Sequence, residues 1–413
     1  MPDFPFVRLD LTNFRRFEQF SLSLREHNVL VGPNNCGKSS ILDAFRILNS
    51  CYRFSRSSNP SLLEPEGDGV FSGYIIPDSS IPVPLENIAR NYSDDDAIVT
   101  FHHRNGATLT IRLNSARQTR VYLNSSVPRT SSTFRRAFPV DLVLVPPLAP
   151  LEEEESYIQD ETINRNISTR LSSRYFRNIW FRSTPEAFEL FQNQVRESWE
   201  GMDICKPDAI GIPRVLRMFF SENRRDREVF WSGFGFQVWL QVLTHFARGN
   251  QSSCLVFDEP DIYLHPDLQR RLLRMAQASF RQTLLATHSV EIINECEPSD
   301  IVLVNPALRK GRKIATDEEY QALLNYLGSA DNIEFSRVAR AKKLIFFEGD
   351  DKKLLKRLAA KTGATFGQPR RRARFRSWWI QSMEKSPVCE VDAGARPKGA
   401  TGHRLPFRQG LSV

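Results

Sequence analysis

Residues 32–39 read Gly-Pro-Asn-Asn-Cys-Gly-Lys-Ser, which matches the G-x-x-x-x-G-K-[ST] phosphate-loop motif. An apolar strand over 29–31 is predicted to run into this loop, and an amphipathic helix over 39–49 is predicted to leave it. Glycines let a backbone curl around a phosphate, and the N-terminus of a helix favours an anion. The motif therefore predicts an ATP or GTP site within an α/β core.

The residue types in this loop suit a nucleotide bound with a metal ion. Lys38 offers a positive charge to the β and γ phosphates, and the Ser39 hydroxyl is suited to Mg²⁺. We therefore predict ATP and Mg²⁺ as the cofactors. The residues predicted to line the nucleotide site are Gly32, Pro33, Asn34, Asn35, Cys36, Gly37, Lys38, Ser39 and Ser40.

Composition limits the class of protein. The 413 residues have room for two or three domains, and no apolar run approaches the length of a membrane span or resembles a signal segment. Six scattered cysteines without a C-x-x-C pair argue against a zinc site and for reduced thiols in a cytoplasm. The net charge is +8, but residues 366–413 alone carry +7, so the charge is poor evidence for DNA binding by the rest of the chain.

Alternating apolar residues predict two strands within 6–24, ahead of the phosphate-loop strand. The Ser/Pro/Gly-rich stretch 51–84 is predicted to be a surface insertion. The runs 97–104 and 107–113 flank an Asn-Gly pair and predict a hairpin. Two histidines, 102 and 103, fall in that hairpin and face opposite sides, which disfavours a shared metal.

The middle of the chain carries fewer motifs. Residues 141–145 predict a short buried strand that ends before a Pro-Pro pair. The acidic run 152–155 is predicted to be a solvated helix start rather than a metal site, and residues 156–200 are predicted to be helical.

The second half of the nucleotide site is predicted from three further patterns. Cys254–Asp258 is an apolar strand that ends in two acids, of which Asp258 is expected to hold Mg²⁺ and Glu259 to deprotonate the attacking water. His288 follows another apolar strand. A Ser-Gly turn that opens a helix forms a second anion cradle, with the candidate residues Ser232, Gly233, Gly235 and Gln237.

These motifs in this order resemble an ABC-type ATPase. The resemblance implies an α/β fold and a head-to-tail dimer in which γ-phosphate lies between Lys38 of one chain and Ser232 of the other, with His288 in contact with it. In more detail, the sequence resembles the OLD (overcoming-lysogenization-defect-like) nucleases and their RecF/SMC-like relatives, whose ATPase domains are of the AAA type. That resemblance covers residues 5–305 and rests on the Leu-Thr-Asn-Phe-Arg-Arg-Phe strand pair, the phosphate loop and Asp258-Glu-Pro-Asp-Ile-Tyr-Leu-His-Pro.

Residues 342–358 resemble the opening of a Toprim domain, and the resemblance implies Glu348 as a metal ligand for phosphodiester cleavage. A Toprim domain also needs a later Asp-x-Asp pair, because two-metal cleavage requires several carboxylates, and the sequence has none after Glu348. Residues 366–413 show neither strand nor helix periodicity. They are interpreted either as the product of a frameshift that truncates the nuclease or as a basic arm that binds nucleic acid.

The resemblance implies an ATP-hydrolysing component of an OLD-like DNA endonuclease in phage defence or DNA processing, in which the nuclease of this chain is incomplete. The alternative is a RecF/SMC-like repair or sensor factor that binds DNA or a partner protein without cleaving. The expected partners are a second copy of the chain or a higher oligomer, DNA, and a partner defence protein, without a membrane. The predicted divisions are an ATPase N-lobe (1–50), an insertion and β-hairpin region (51–150), a helical arm (151–212), an ATPase C-lobe (213–305), a linker (306–340), a Toprim fragment (341–365) and a basic disordered tail (366–413).

Overall fold

A computed structural model describes residues 4–64, 69–114, 118–124, 126–211, 214–251 and 253–313, and two short strands at 343–345 and 390–392. The chain forms two compact units, residues 1–328 and 329–413.

The strands are β1 Phe6–Phe14, β2 Phe17–Ser23, β3 His27–Val31, β4 Ser61–Leu63, β5 Phe71–Ile76, β6 Ala97–His103, β7 Thr108–Leu113, β8 Thr119–Leu123, β9 Leu142–Val145, β10 Glu155–Ser156, β11 Met202–Ile204, β12 Asp208–Ile210, β13 Val215–Arg217, β14 Phe219–Glu222, β15 Arg225–Glu228, β16 Cys254–Asp258, β17 Gln282–Ala286, β18 Ile301–Leu303, β19 Arg312–Lys313, β20 Lys343–Ile345 and β21 Glu390–Asp392. The α-helices are α1 Lys38–Phe54, α2 Ser131–Ala137, α3 Asp160–Asn166, α4 Phe176–Phe181, α5 Pro185–Ser198, α6 Phe234–Phe246, α7 Pro266–Ser279 and α8 Val290–Glu295. Short 3-10 helices lie at Asp78–Ser80, Leu85–Asn87, Arg90–Tyr92, Ser172–Tyr175, Val229–Trp231 and Pro298–Asp300.

The core is a six-stranded sheet in the order β19-β18-β3-β17-β16-β9. All neighbours pair in parallel except β18 with β19. Strands β16 and β17 are buried along their whole length, as expected for a parallel sheet covered on both faces. The carboxyl ends of parallel strands meet at one edge, so the loops that follow β3, β16 and β17 lie beside one another.

A second, antiparallel sheet has seven strands in the order β2-β1-β6-β7-β8-β5-β4. Helix α1 joins the two sheets, because its apolar residues share one core cluster with side chains from both. The Gln282 amide adds a direct link, since it bonds the backbone N–H and C=O of Phe6 at 3.1 and 2.7 Å and also donates to the Arg25 carbonyl at 2.8 Å.

The predicted strand pair and hairpin are confirmed. Strands β1 and β2 are antiparallel, and β6 pairs with β7 around Asn105-Gly106, where Gly106 has a φ of +86°. The prediction of a surface insertion over 51–84 is wrong. Strand β5 pairs with β8 inside the seven-stranded sheet, and Tyr74 and Ile76 are buried in its core.

The helical section is shorter than predicted. Helices α3, α4 and α5 lie within 156–200, but the acidic run does not begin a helix: Glu155 belongs to strand β10 and is buried. Two small sheets follow, in the orders β10-β13-β12 and β11-β14-β15. The last strand, β15, is followed by the 3-10 helix Val229–Trp231 and then by the Ser-Gly turn that precedes α6.

In the second unit, Lys343–Ile345 forms a strand within the stretch that resembles the opening of a Toprim domain, and it pairs antiparallel with Glu390–Asp392. The prediction of no regular structure over 366–413 is therefore wrong for those three residues. Glu348, the remainder of the predicted Toprim fragment and most of the basic tail lie outside the described residues.

Candidate functional site

The loops after three neighbouring parallel strands carry the predicted nucleotide-site residues. Strand β3 runs into the phosphate loop and α1, β16 ends at Asp258 and Glu259, and β17 leads to His288. The fold thus brings together residues separated by more than 200 positions in the sequence, as the order of the motifs predicts.

The phosphate loop depends on its two glycines. Gly37 has a φ of +104°, and a Cβ there would lie 2.5 Å from the Phe17 ring. A Cβ on Gly32 would lie 2.7 Å from both the Cys36 Sγ and the Val304 carbonyl oxygen. Cys36 is buried and packs inside the loop, whereas Ser39 at the first turn of α1 is exposed. A side chain at either glycine would therefore clash with the residues packed around the loop, so the backbone could not keep this conformation.

The Lys38 side chain folds back and contacts the backbone of its own phosphate loop. Its Nζ donates to the carbonyl oxygens of Gly32 at 2.8 Å and Pro33 at 3.2 Å, and lies 2.7 Å from Nε2 of His288. Burial lowers the pKa of Lys38, and burial together with the Lys38 charge lowers the pKa of His288. A neutral His288 imidazole accepts a hydrogen bond from the Lys38 ammonium group. Phosphate oxygens of a bound nucleotide would compete with the imidazole for that ammonium group.

Asp258 is buried at the end of β16 and pairs with Arg46 of α1, whose Nη2 lies 2.9 Å from Oδ2 of Asp258. The same guanidinium donates to Asp43 at 2.7 Å, and Arg15 in the β1–β2 turn lies 3.0 Å from Asp43. Burial raises the pKa of Asp258, and Arg46 opposes that rise. The carboxylate that is predicted to hold the metal is thus fixed in place by an ion pair.

Glu259 is half-buried and has a φ of +52°, a left-handed conformation that residues other than glycine seldom adopt. Its N–H donates to the Ala286 carbonyl of β17 at 2.9 Å. Burial and the neighbouring carboxylates of Asp258 and Asp261 raise the pKa of Glu259. Asp261 itself accepts a hydrogen bond from the Thr287 hydroxyl.

The Ser-Gly turn opens α6, with Gly233 as its N-cap. Ser232 donates to the Val229 carbonyl at 2.7 Å, and Gly233 is exposed. Gly235 permits a close approach, since a Cβ there would lie 3.1 Å from the Tyr263 carbonyl oxygen. Among the described residues, no hydrogen bond or ion pair joins this turn to the phosphate loop.

The structure corrects the prediction for Gln237. Its side chain has no exposed surface, so it is not available to touch a nucleotide on a second chain. Instead, its Nε2 donates to the carbonyls of Phe230 and Ser232 at 2.7 and 2.9 Å, and its Oε1 accepts from the Leu151 N–H at 2.8 Å. Gln237 holds the turn in shape.

Sequence reasoning missed the charged residues behind the site. Asp43 and Arg46 are charged positions in an otherwise apolar stretch of α1, and that contrast is a signal from which they could have been found. Arg177, which is fully buried in α4, carries no local signal because its partners lie 22 and 51 residues away.

The residues present fit ATP with Mg²⁺. The glycine cradle, a buried lysine and an exposed hydroxyl at a helix N-terminus suit a polyphosphate. Within the described ranges, no group of three or more His, Cys, Asp or Glu side chains forms a metal cage. Mg²⁺ is usually held by one or two protein oxygens and completed by substrate phosphates and water, so the oxygens of Ser39 and Asp258 would suffice to hold it.

The strand, phosphate loop and helix, beside strands that end in Asp-Glu and in His, define a P-loop ATPase with a mixed α/β core. Sequence comparison agrees: the family described as "AAA domain, putative AbiEii toxin, Type IV TA system" matches residues 78–294, more than half of the chain. The chain belongs to this AAA-domain family. A second family, described as "AAA ATPase domain", matches residues 7–137.

Among solved structures, the chain is similar to an SMC head bound to the C-terminal winged-helix domain of ScpA, with a TM-score of 0.49 and 14% identity over 77% of this chain and 100% of that chain. The SMC head domain from Thermotoga maritima gives a TM-score of 0.41 and 17% identity over 75% of this chain and 99% of that chain. The recombination mediator protein RecF-ATPrS of the RecFOR pathway gives a TM-score of 0.45 and 10% identity over 76% of this chain and 100% of that chain. No curated protein matches the sequence. None of the helices in the described ranges combines the length and the apolarity needed to cross a bilayer.

Proposed function

We propose that this chain binds and hydrolyses ATP at an ABC-type site that a second copy of the chain completes. The observation that carries the proposal is the convergence of Lys38, Asp258, Glu259 and His288 beyond the carboxyl ends of adjacent parallel strands. In this arrangement one lysine, two carboxylates and one imidazole surround the mouth of a glycine cradle, which is the chemistry that phosphoryl transfer to water requires.

Each side chain has a role in the proposed reaction. Lys38 leaves the Gly32 and Pro33 carbonyls and binds the β and γ phosphates. Bound Mg²⁺ neutralises phosphate charge, and Ser39 and Asp258 are the residues that would hold it. Glu259 orients a water molecule and accepts its proton, and the raised pKa of its carboxyl suits a group that must take up a proton near neutral pH.

A second copy is proposed because the Ser-Gly turn is a well-formed anion cradle without a phosphate-loop partner among the described residues. Gly233 is exposed at the N-terminus of the 13-residue α6, where the unpaired N–H groups favour an anion. In a head-to-tail dimer, Ser232 and Gly233 of one copy contact the γ-phosphate held by Lys38 of the other.

The first test is steady-state ATP hydrolysis with Mg²⁺. We expect Lys38→Ala to abolish hydrolysis and weaken nucleotide binding. Glu259→Gln should bind ATP but hydrolyse it at least about 100-fold more slowly, because general-base catalysis contributes that much. The matched control is Lys206→Ala, which removes an exposed lysine that donates only to the Ser183 carbonyl. Hydrolysis by Lys38→Ala at the wild-type rate would refute the proposal.

Mixing two inactive variants tests the shared site. Lys38→Ala and Ser232→Arg should each be inactive alone. In a mixed dimer, one site carries both changes and the other carries neither, so random pairing should restore about a quarter of wild-type activity. No recovery from a mixture that forms mixed dimers would show that the two sites are not shared.

We further propose that the substrate of the intact system is DNA and that the ATPase regulates OLD-like cleavage through a Toprim section. Support comes from the sequence resemblance and from the strand that precedes Glu348. The test is nicking of supercoiled plasmid with Mg²⁺ or Mn²⁺. We expect no nicking by this chain, and nicking that Glu348→Ala abolishes would show that the nuclease is complete. DNA binding without nicking by the protein from an uninterrupted reading frame would favour the RecF/SMC-like alternative.

A further inference from the structure

A buried arginine connects the helical section to the Ser-Gly turn. Arg177 on α4 has no exposed surface, and its Nε and Nη2 lie 2.9 and 2.8 Å from Oε1 of Glu228. Its Nη1 donates to the Glu152 carbonyl at 3.0 Å and lies 3.6 Å from Oε2 of Glu155. One guanidinium is therefore shared by two buried carboxylates.

Glu228 in turn fixes the start of the turn. It is the N-cap of the 3-10 helix Val229–Trp231, and its Oε2 accepts from the Phe230 N–H at 2.7 Å. Its Oε1 also accepts from the Met218 N–H at 3.3 Å. Ser232 follows this 3-10 helix directly and donates back to the Val229 carbonyl. Moving the Glu228 carboxylate thus moves the backbone that presents Ser232.

Glu155 holds the other side of the arginine. It accepts hydrogen bonds from the backbone N–H groups of Arg177 and Asn178 at 2.8 and 2.7 Å, and from the Asn178 side chain at 2.8 Å. Burial raises the pKa of Glu155 to about 7, against the opposing effect of these bonds and of Arg177. A buried ion pair is weak evidence for stability, since apolar residues of similar volume often serve as well. We therefore interpret the ion pairs of Arg177 as fixing the positions of Glu155 and Glu228 rather than as adding stability.

We propose that Arg177 is a positioning residue for the second-copy half of the ATP site. By holding Glu228 it sets where Ser232 and Gly233 are presented, and any displacement of α4 is passed to that turn. The inference rests on the proposed function, in which the Ser-Gly turn engages ATP bound to another copy.

The experiment compares Arg177→Met with Arg196→Met. Arg196 lies on the surface of α5 and pairs with Asp203, and it makes no hydrogen bond to α4 or to Glu228. We expect Arg177→Met to lower kcat and ATP-dependent dimerisation between about 10- and 100-fold, because small misplacements of a positioned group have effects of that size. The Kd of the isolated chain for ATP should stay within about twofold, since the phosphate loop lies on separate elements. Arg196→Met should change neither property.

The outcomes separate the inference from a structural role. Arg177→Lys keeps the charge and should recover part of kcat without changing the Kd for ATP. If Arg177→Met is too unstable to purify, Glu228→Gln provides the same test, because it keeps a carbonyl oxygen for one donor and loses the ion pair. A kcat of the tested variant equal to that of Arg196→Met would overturn the inference. Equal losses in kcat and in ATP affinity would also overturn it. Absence of turnover and of ATP-dependent dimers in the wild type would instead overturn the proposed function.

Discussion

Replacing Arg46 by methionine should destabilise the protein through Asp258. The Asp258 side chain is only 4% exposed, and the Arg46 guanidinium lies 2.9 Å from it. Methionine keeps most of the volume but leaves a buried carboxylate without that positive charge. Asp43 is affected less, because it retains its ion pair with Arg15.

The magnitude of this destabilisation follows from how deeply the Arg46 and Asp258 side chains are buried. Removing one partner of a buried ion pair costs about 3–5 kcal/mol. The Arg46 side chain is 19% exposed and therefore partly screened by solvent, so the expected loss in the free energy of unfolding is about 2–4 kcal/mol. Asp258 is predicted to hold Mg²⁺. Adding Mg²⁺ with ATP should therefore reduce the difference in the free energy of unfolding between the variant and the wild type by about 1 kcal/mol or more.

Urea unfolding with and without Mg²⁺ and ATP measures both quantities. The matched control is the double variant Arg46→Met/Asp258→Asn, which removes both charges and should recover most of the loss in the absence of nucleotide. A loss below about 0.5 kcal/mol for the single variant would refute the reasoning. A double variant as unstable as the single one would show that the unpaired carboxylate is not the cause.

Two further predictions concern the loops of the site. Gly37→Ala places a Cβ at a φ of +104° and 2.5 Å from the Phe17 ring, so it should cost about 2 kcal/mol or more and abolish ATP binding in calorimetry; unchanged affinity would contradict the cradle geometry. Asp261→Asn removes a carboxylate that raises the pKa of Glu259. Glu259 must be ionised to act as a base, so the acidic limb of kcat/KM should move to lower pH, and no movement would argue against Glu259 as that base.

The site was predictable where its chemistry is local. The phosphate loop, the Asp258-Glu259 pair and His288 each follow an apolar strand, and parallel strands bring such ends together. The position of a residue within a motif does not show, however, whether its side chain is free to bind a ligand. Gln237 lies in the right motif, but its amide is used by the backbone of its own turn.

The errors arise from long-range pairing. Strand β5 is short and follows a Ser/Pro/Gly-rich stretch, and only its pairing with β8, some 50 residues later, shows that it belongs inside a sheet. Glu155 looks like one of four surface acids, but it is buried because the N–H groups of Arg177 and Asn178 bind it. Hydrophobic periodicity describes a segment by itself and contains no information about such partners.

The three hydrogen bonds of the Gln282 amide have a mechanical consequence. They attach β1 of the antiparallel sheet to the beginning of β17, the strand that leads to His288, and α1 is packed between the two sheets. The two sheets should therefore turn as a single rigid body during a nucleotide cycle.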